Sequence, residues 1–285
     1  MADMRRLREL MLDASAETVG PAFDAADGVW RFTVRSQYQR GPNAIEVLLP
    51  DCFDASRTYP VLYVLPVETG LGGHYGNGLQ EVRKAGLHNK HGLIAVAPAF
   101  DTEPWFGDNP ADPTIRHESY VIRVVVPLVE GRYPTLGTAE GRLLVGFSKS
   151  GWGAFTLILR NPDFFGYAAA WDAPLMLEER WWRMVEQFGG DGNFQKYRPA
   201  DLFEWQARHF RGKTRLVLLG ECGFGGEPGG KYAGRSHTVE AHQKMEAMGI
   251  RHIYRNDVRV EHRWDSGWVP VAVDAMMALR KTVGG

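Results

Sequence analysis

Apolar and polar positions along this chain alternate between two spacings. YPVLYVLP (59–66) and GLIAVAP (92–98) are apolar at nearly every position and bounded by proline or glycine, as strands covered on both faces are. RLLVG (142–146), YAAAWD (167–172), RLVLLG (215–220) and RHIYRNDV (251–258) continue the series. WRFTVRSQYQ (30–39) and NAIEVLLP (43–50) also read as strands, separated by a Gly-Pro turn. Helical spacing occupies residues 4–13, about 78–88, 118–133, about 150–160, 237–249 and 269–283, and Pro127 should bend the third of these. Strands alternating with helices predict an α/β fold built on a mostly parallel sheet with helices on both faces. No linker, repeat or low-complexity tract divides the sequence, so residues 1–285 are read as a single domain. Residues 173–213 are read as a small helical insertion roofing a cleft.

Composition narrows the function classes. The 285 residues carry a formal net charge of −1 and are 44% hydrophobic, which gives neither a basic footprint for nucleic acid nor an acidic tail. The two cysteines, Cys52 and Cys222, lie far apart without metal-ligand spacing, a count that fits a reducing compartment better than a stapled scaffold. The N-terminal stretch is charged but has no apolar h-region, and no run is long enough for a membrane span. The expectation is a soluble, cytoplasmic protein with no nucleic-acid or membrane partner and no metal.

LLVGFSKSGWGAF (143–155) carries the chemistry. A strand ends at Gly146, a helix begins just after, and Ser148 stands between small residues. That is the setting of a nucleophile elbow, G-x-S-x-G, with Ser150 in place of the last glycine. A serine near a helix start is more often a cap or a turn residue; the strand–turn–helix context favours the nucleophile. The helix N-terminus would favour a developing anion, and the N–H of Lys149 is the natural first oxyanion donor.

In folds with this elbow the base comes last in the chain. His262, in VEHRWDSGW, follows the last strand and precedes the last helix. His88, His91, His209, His237, His242 and His252 read as solvated surface. His74 lies in a glycine-rich loop that lines the cleft but is out of order for the base. For the acid, Glu221 is the first choice because it directly follows a strand end; Glu227 in the same glycine-rich loop is second. Asp172, at the end of YAAAWD, is the fallback.

With these residues in place, the chain resembles the putative-esterase family of α/β-hydrolases, the group of esterase D-like enzymes, feruloyl esterases and mycolyltransferases. The resemblance runs from about residue 30 to 282. It rests on YPVLYVLP, on VAPAFDTEPWFGDNP with Trp105 and Asp108 at the places of a W-Y-x-D segment, on ESYVIRVVVPLVEGRYPT, on RLLVGFSKSGWGAFTLILRNPDFFGYAAAWDA, and on HRWDSGW. It implies an α/β-hydrolase fold and a serine carboxylesterase working through an acyl-enzyme, with Ser148 as nucleophile, His262 as base and Glu221 as acid. Lys149 and Glu68 would supply oxyanion N–H groups, and no cofactor is implied. Pro66-Val67 replaces the family's His-Gly, Lys149 follows the nucleophile, and the G-x-x-D acid pattern is absent. These departures keep a binding protein on the same fold, or an acyltransferase, as the alternatives. Trp181, Trp182 and Trp205, with Glu68 and Lys149, suggest a mixed polar and aromatic pocket for a small ester such as an acylated sugar or an aryl ester. The oligomeric state is not legible.

Overall fold

The computed structural model describes residues 16–181, 183–220 and 236–281. Nine strands form one sheet: β1 (Glu17–Asp24), β2 (Val29–Arg35), β3 (Asn43–Leu48), β4 (Val61–Val64), β5 (Ile94–Pro98), β6 (Arg142–Phe147), β7 (Tyr167–Trp171), β8 (Leu216–Leu219) and β9 (His252–Arg255). Their spatial order is β1-β2-β3-β5-β4-β6-β7-β8-β9. β1, β2, β3 and β5 pair antiparallel, and every pair from β5 through β4 to β9 is parallel.

The apolar runs behave as their composition dictates. Every residue of β4 to β8 is buried, because helices cover both faces of the parallel half. Side chains alternate across the pleat, so Tyr63, Val96, Leu144 and Leu218 enter one core while Leu62, Val64, Val145 and Val217 enter the other. The first core lies under Ser148–Arg160 and His237–Ala247, the second under Gly78–Lys84, Leu87–His91 and Trp268–Lys281.

Several elements differ from their sequence reading. β1 carries no apolar run and is exposed at almost every position, so nothing in its pattern announces a strand; it holds the sheet edge by backbone pairing to β2. Gly86, at φ 64°, splits the helix expected over 78–88 in two. The segment around Pro127 is accommodated by a π-helical stretch, Val121–Val125, set between His117–Tyr120 and Val126–Arg132. A proline cannot donate to the preceding turn, and a widened turn is one way to lodge it. His88 and His237 are buried rather than solvated. The expected helix at 4–13 lies outside the described residues. Among the described residues no helix is long and apolar enough to cross a membrane.

Residues 173–213 contain the helices Met184–Phe188, Asp191–Gln195 and Pro199–Gln206. They clasp the segment after β5: Gln187 Nε2 donates to Gly107 O, Asn109 Nδ2 donates to Glu186 O at 2.7 Å, and Asn193 Nδ2 donates to Asp108 O at 2.9 Å. Phe188 packs on Trp152 of the elbow helix with ring centroids 5.8 Å apart.

Candidate active site

β6 and β7 are parallel neighbours with Phe147 opposite Trp171. The next residue on each strand is therefore delivered to the same edge of the sheet, one strand spacing apart, about 4.8 Å. Those residues are Ser148 and Asp172. Both have positive φ, 50° and 46°, a conformation that costs a non-glycine residue about 1–3 kcal/mol and recurs at functional sites. Ser148 is also the first residue of the helix Ser148–Arg160.

The sequence enforces this turn sterically. A Cβ at Gly146 would lie 2.4 Å from the backbone of Ser150, and one at Gly151 would lie 2.8 Å from Ala173 Cβ. Ser150 is wholly buried, and its hydroxyl does two jobs: it accepts from Phe147 N–H at 3.1 Å and donates to Phe147 C=O at 2.9 Å. The residue standing at the usual glycine position thus braces the elbow from inside.

His262 reaches the same edge from the loop after β9. Its Nδ1 faces Asp172 Oδ2 at hydrogen-bond distance, and the Asp172 side chain is almost fully buried. Facing a carboxylate, Nδ1 carries the proton, which leaves Nε2 as the basic nitrogen. The imidazole sits among aromatic rings, 5.0 Å from Phe147 and 5.5 Å from Tyr75 between centroids. Around it, Trp171 Nε1 donates to Val258 O at 3.0 Å, Trp268 Nε1 donates to Arg263 O at 3.0 Å, and Trp264 N–H donates to Tyr75 O at 2.9 Å. These bonds pin both sides of the His262 loop.

Glu221, the acid chosen from chain order, and Glu227 lie outside the described residues, as do Cys222 and Trp182. Among the described carboxylates, Asp172 is the one placed on His262 Nδ1. Chain order ranks strand ends by sequence, whereas the pairing register sets which of them adjoin. The sequence offered Asp172 only as a fallback at the end of YAAAWD; its place beside Ser148 follows from the register that sets Phe147 opposite Trp171.

Glu68 and Lys149 use their side chains for construction. The Glu68 carboxylate accepts from the N–H groups of Gly73, His74 and Tyr75 at 3.1, 3.2 and 3.1 Å, which shapes the glycine-rich loop and seats Tyr75 against His262. Lys149 Nζ pairs with the Glu103 carboxylate across from the end of β5. The backbone N–H groups of Glu68 and Lys149 have no partner among the described residues. Of the remaining aromatics, Trp181 is half-buried with its backbone N–H donating to Met184 Sδ, and Trp205 is 55% exposed. Trp105 is fully buried against Trp152, and Asp108 accepts from Ser119 N–H, so that segment supports the fold beneath the site.

Comparison with known proteins agrees with this architecture. A Mycobacterium tuberculosis protein named Esterase Rv1288 is 29% identical over 143 residues, which are 47% of this chain and 29% of that protein; the chain thus matches under a third of that relative's length. Among solved structures, an S-formylglutathione hydrolase from Agrobacterium tumefaciens superposes with a TM-score of 0.69 at 17% identity, covering 91% of this chain and 98% of that one. A ferulic acid esterase gives 0.67 at 17% identity, covering 94% and 99%. Mycobacterium tuberculosis MPT51 gives 0.63 at 14% identity, covering 87% and 96%. At such identities these likenesses establish the shared α/β-hydrolase fold. The family model described as "Putative esterase" matches residues 36–270, and the chain belongs to that family.

Proposed function

We propose that the protein is a serine carboxylesterase whose triad is Ser148, His262 and Asp172. The observation that carries this reading is the contact between His262 Nδ1 and the buried Asp172, at the strand end next to a serine in a strained elbow. In this reading Ser148 Oγ attacks the ester carbonyl while His262 Nε2 takes its proton. Asp172 holds the imidazole in the required tautomer and stabilises the cation that forms. The N–H groups of Lys149 and Glu68 receive the oxyanion. Collapse of the tetrahedral intermediate expels the alcohol, which takes the proton from His262, and water then releases the acid by the same steps in reverse.

The substrate class we infer is a small ester with an uncharged acyl part. Lys149 and Glu68, whose backbone N–H groups this reading assigns to the oxyanion, spend their side-chain bonding capacity on Glu103 and on the loop 68–76. Neither is offered to a charged acyl chain.

A fluorophosphonate probe tests the reading. It should label the purified protein at Ser148, and Ser148→Ala should lose both labelling and hydrolysis of short p-nitrophenyl esters by several orders of magnitude while melting normally. Undiminished turnover in that variant would place the nucleophile elsewhere.

A further inference from the structure

At the opposite end of the sheet from the ester site, the first residue of β9 and the helix His237–Ala247 bring together His242, Glu246 and His252. One ligand atom from each lies within 4.8 Å of the others. His242 and Glu246 are one helical turn apart, the i, i+4 spacing that puts two donors on one face. His252 Nδ1 lies 2.9 Å from Ile250 O, a group that only accepts, so Nδ1 carries the proton and Nε2 presents its lone pair. A backbone carbonyl fixing the distal nitrogen is the usual outer support of a metal-bound histidine. His242 is oriented as firmly, its ring stacked on Tyr254 at 4.0 Å between centroids and 12° between planes.

We propose that His242, Glu246 and His252 form a binding site for a divalent transition-metal ion of the zinc, nickel or copper class. Two imidazoles and a carboxylate are the donor set these borderline ions favour over magnesium or calcium. His242 Nδ1 and His252 Nε2 lie 2.9 Å apart. Ligands bound at about 2.0–2.1 Å in adjacent octahedral positions would stand about 2.9 Å apart, and tetrahedral ones about 3.4 Å. Without the ion, His242 Nδ1–H donates to His252 Nε2. With it, the His242 proton moves through solvent to Nε2 and both facing nitrogens turn their lone pairs to the metal. Glu246 is exposed, so an ion can enter from solvent and keep water in its remaining positions. Bound there, the ion would cross-link the edge strand β9 to the helix beside it, well away from His262, in a structural role.

Tag-free, metal-stripped protein titrated with zinc chloride by calorimetry tests this. The wild type should take up one zinc per chain and gain melting temperature. Glu246→Gln, an exposed change that leaves the fold intact, should weaken binding at least ~10-fold. His252→Gln should remove it, and His262→Ala should bind as the wild type does. Cobalt(II) should give visible absorption bands in the wild type that His252→Gln lacks. No uptake by the wild type, or equal uptake by Glu246→Gln and His252→Gln, would overturn the site and leave the two histidines as a hydrogen-bonded pair.

Discussion

At the scale of single residues, the site turns on Asp172 and Ser150. If Asp172 is the triad acid, Asp172→Asn preserves shape but presents an amide N–H or a weak acceptor to His262 Nδ1. That favours the wrong imidazole tautomer, and kcat should fall by about 10³–10⁴-fold with KM little changed. Steady-state kinetics of Asp172→Asn beside Glu221→Gln and Glu227→Gln decide among the three carboxylates; full activity in the Asn variant would return the role to Glu221 or Glu227. Ser150 carries a different burden. From the sequence, Ser150→Gly looks harmless because it restores the family's small residue. In the fold it strips Phe147 of both hydroxyl bonds in a fully buried place. Leaving a buried N–H unsatisfied costs about 1–3 kcal/mol, and a glycine inside a helix adds about 0.5–1 kcal/mol. Chemical denaturation should therefore show Ser150→Gly less stable by roughly 2–3 kcal/mol.

At the scale of elements, the fold was legible wherever burial on both faces forced apolar runs. The parallel strands β4 to β8 follow from their apolar runs, and the helices beside them from helical spacing, apart from the break at Gly86 and the π-helical stretch before Pro127. β1 was not legible, because an exposed edge strand such as ETVGPAFD is held by backbone bonds that leave no side-chain pattern. The elbow was legible because tight packing of strand, turn and helix demands small residues at fixed places. The choice of acid stayed open among Glu221, Glu227 and Asp172, because which strand ends adjoin depends on pairing register between segments over twenty residues apart. Gly153 shows how closely the elbow helix is packed. A Cβ there would lie 2.0 Å from Cδ2 of Phe106, a wholly buried ring held at a positive φ of 52°. Gly153→Ala gains about 1 kcal/mol of helix propensity but overpacks at a cost of about 1–3 kcal/mol. The predicted outcome is a lower Tm, by about 2–4 °C for each net kcal/mol, with the shift in the Phe106 segment reducing kcat as well. A Tm equal to or above wild type would show that the ring gives way freely.

At the scale of the whole molecule, stability should depend on pH through histidines that the fold buries uncharged. His117 is completely buried, its Nε2 2.9 Å from Thr102 Oγ1, and burial pushes its pKa down to about 3. Burial lowers His88 too, against the pull of Asp51. The unfolded chain takes up a proton on each near pH 6.5. Between that value and the folded one the unfolded state binds more protons, so stability rises with pH there and is lost on acidification. For His117 the loss steepens below pH 6.5 and comes to roughly 2–3 kcal/mol between pH 7.5 and 4.5. Asp108 works in the opposite sense, since burial raises its pKa and acidification relieves a cost. A bare acid-denaturation curve would mix these contributions, whereas the difference between wild type and His117→Gln isolates one of them. Glutamine can keep a bond to Thr102 and cannot titrate, so its stability should fall less steeply below pH 6.5, and the two curves should converge as pH drops. Denaturant melts at half-unit steps from pH 7.5 to 4.5, in EDTA to keep metals out of the comparison, measure the convergence. Parallel curves would mean that His117 keeps an ordinary pKa and that the segment carrying Thr102 and Glu103 opens to water before the rest of the fold.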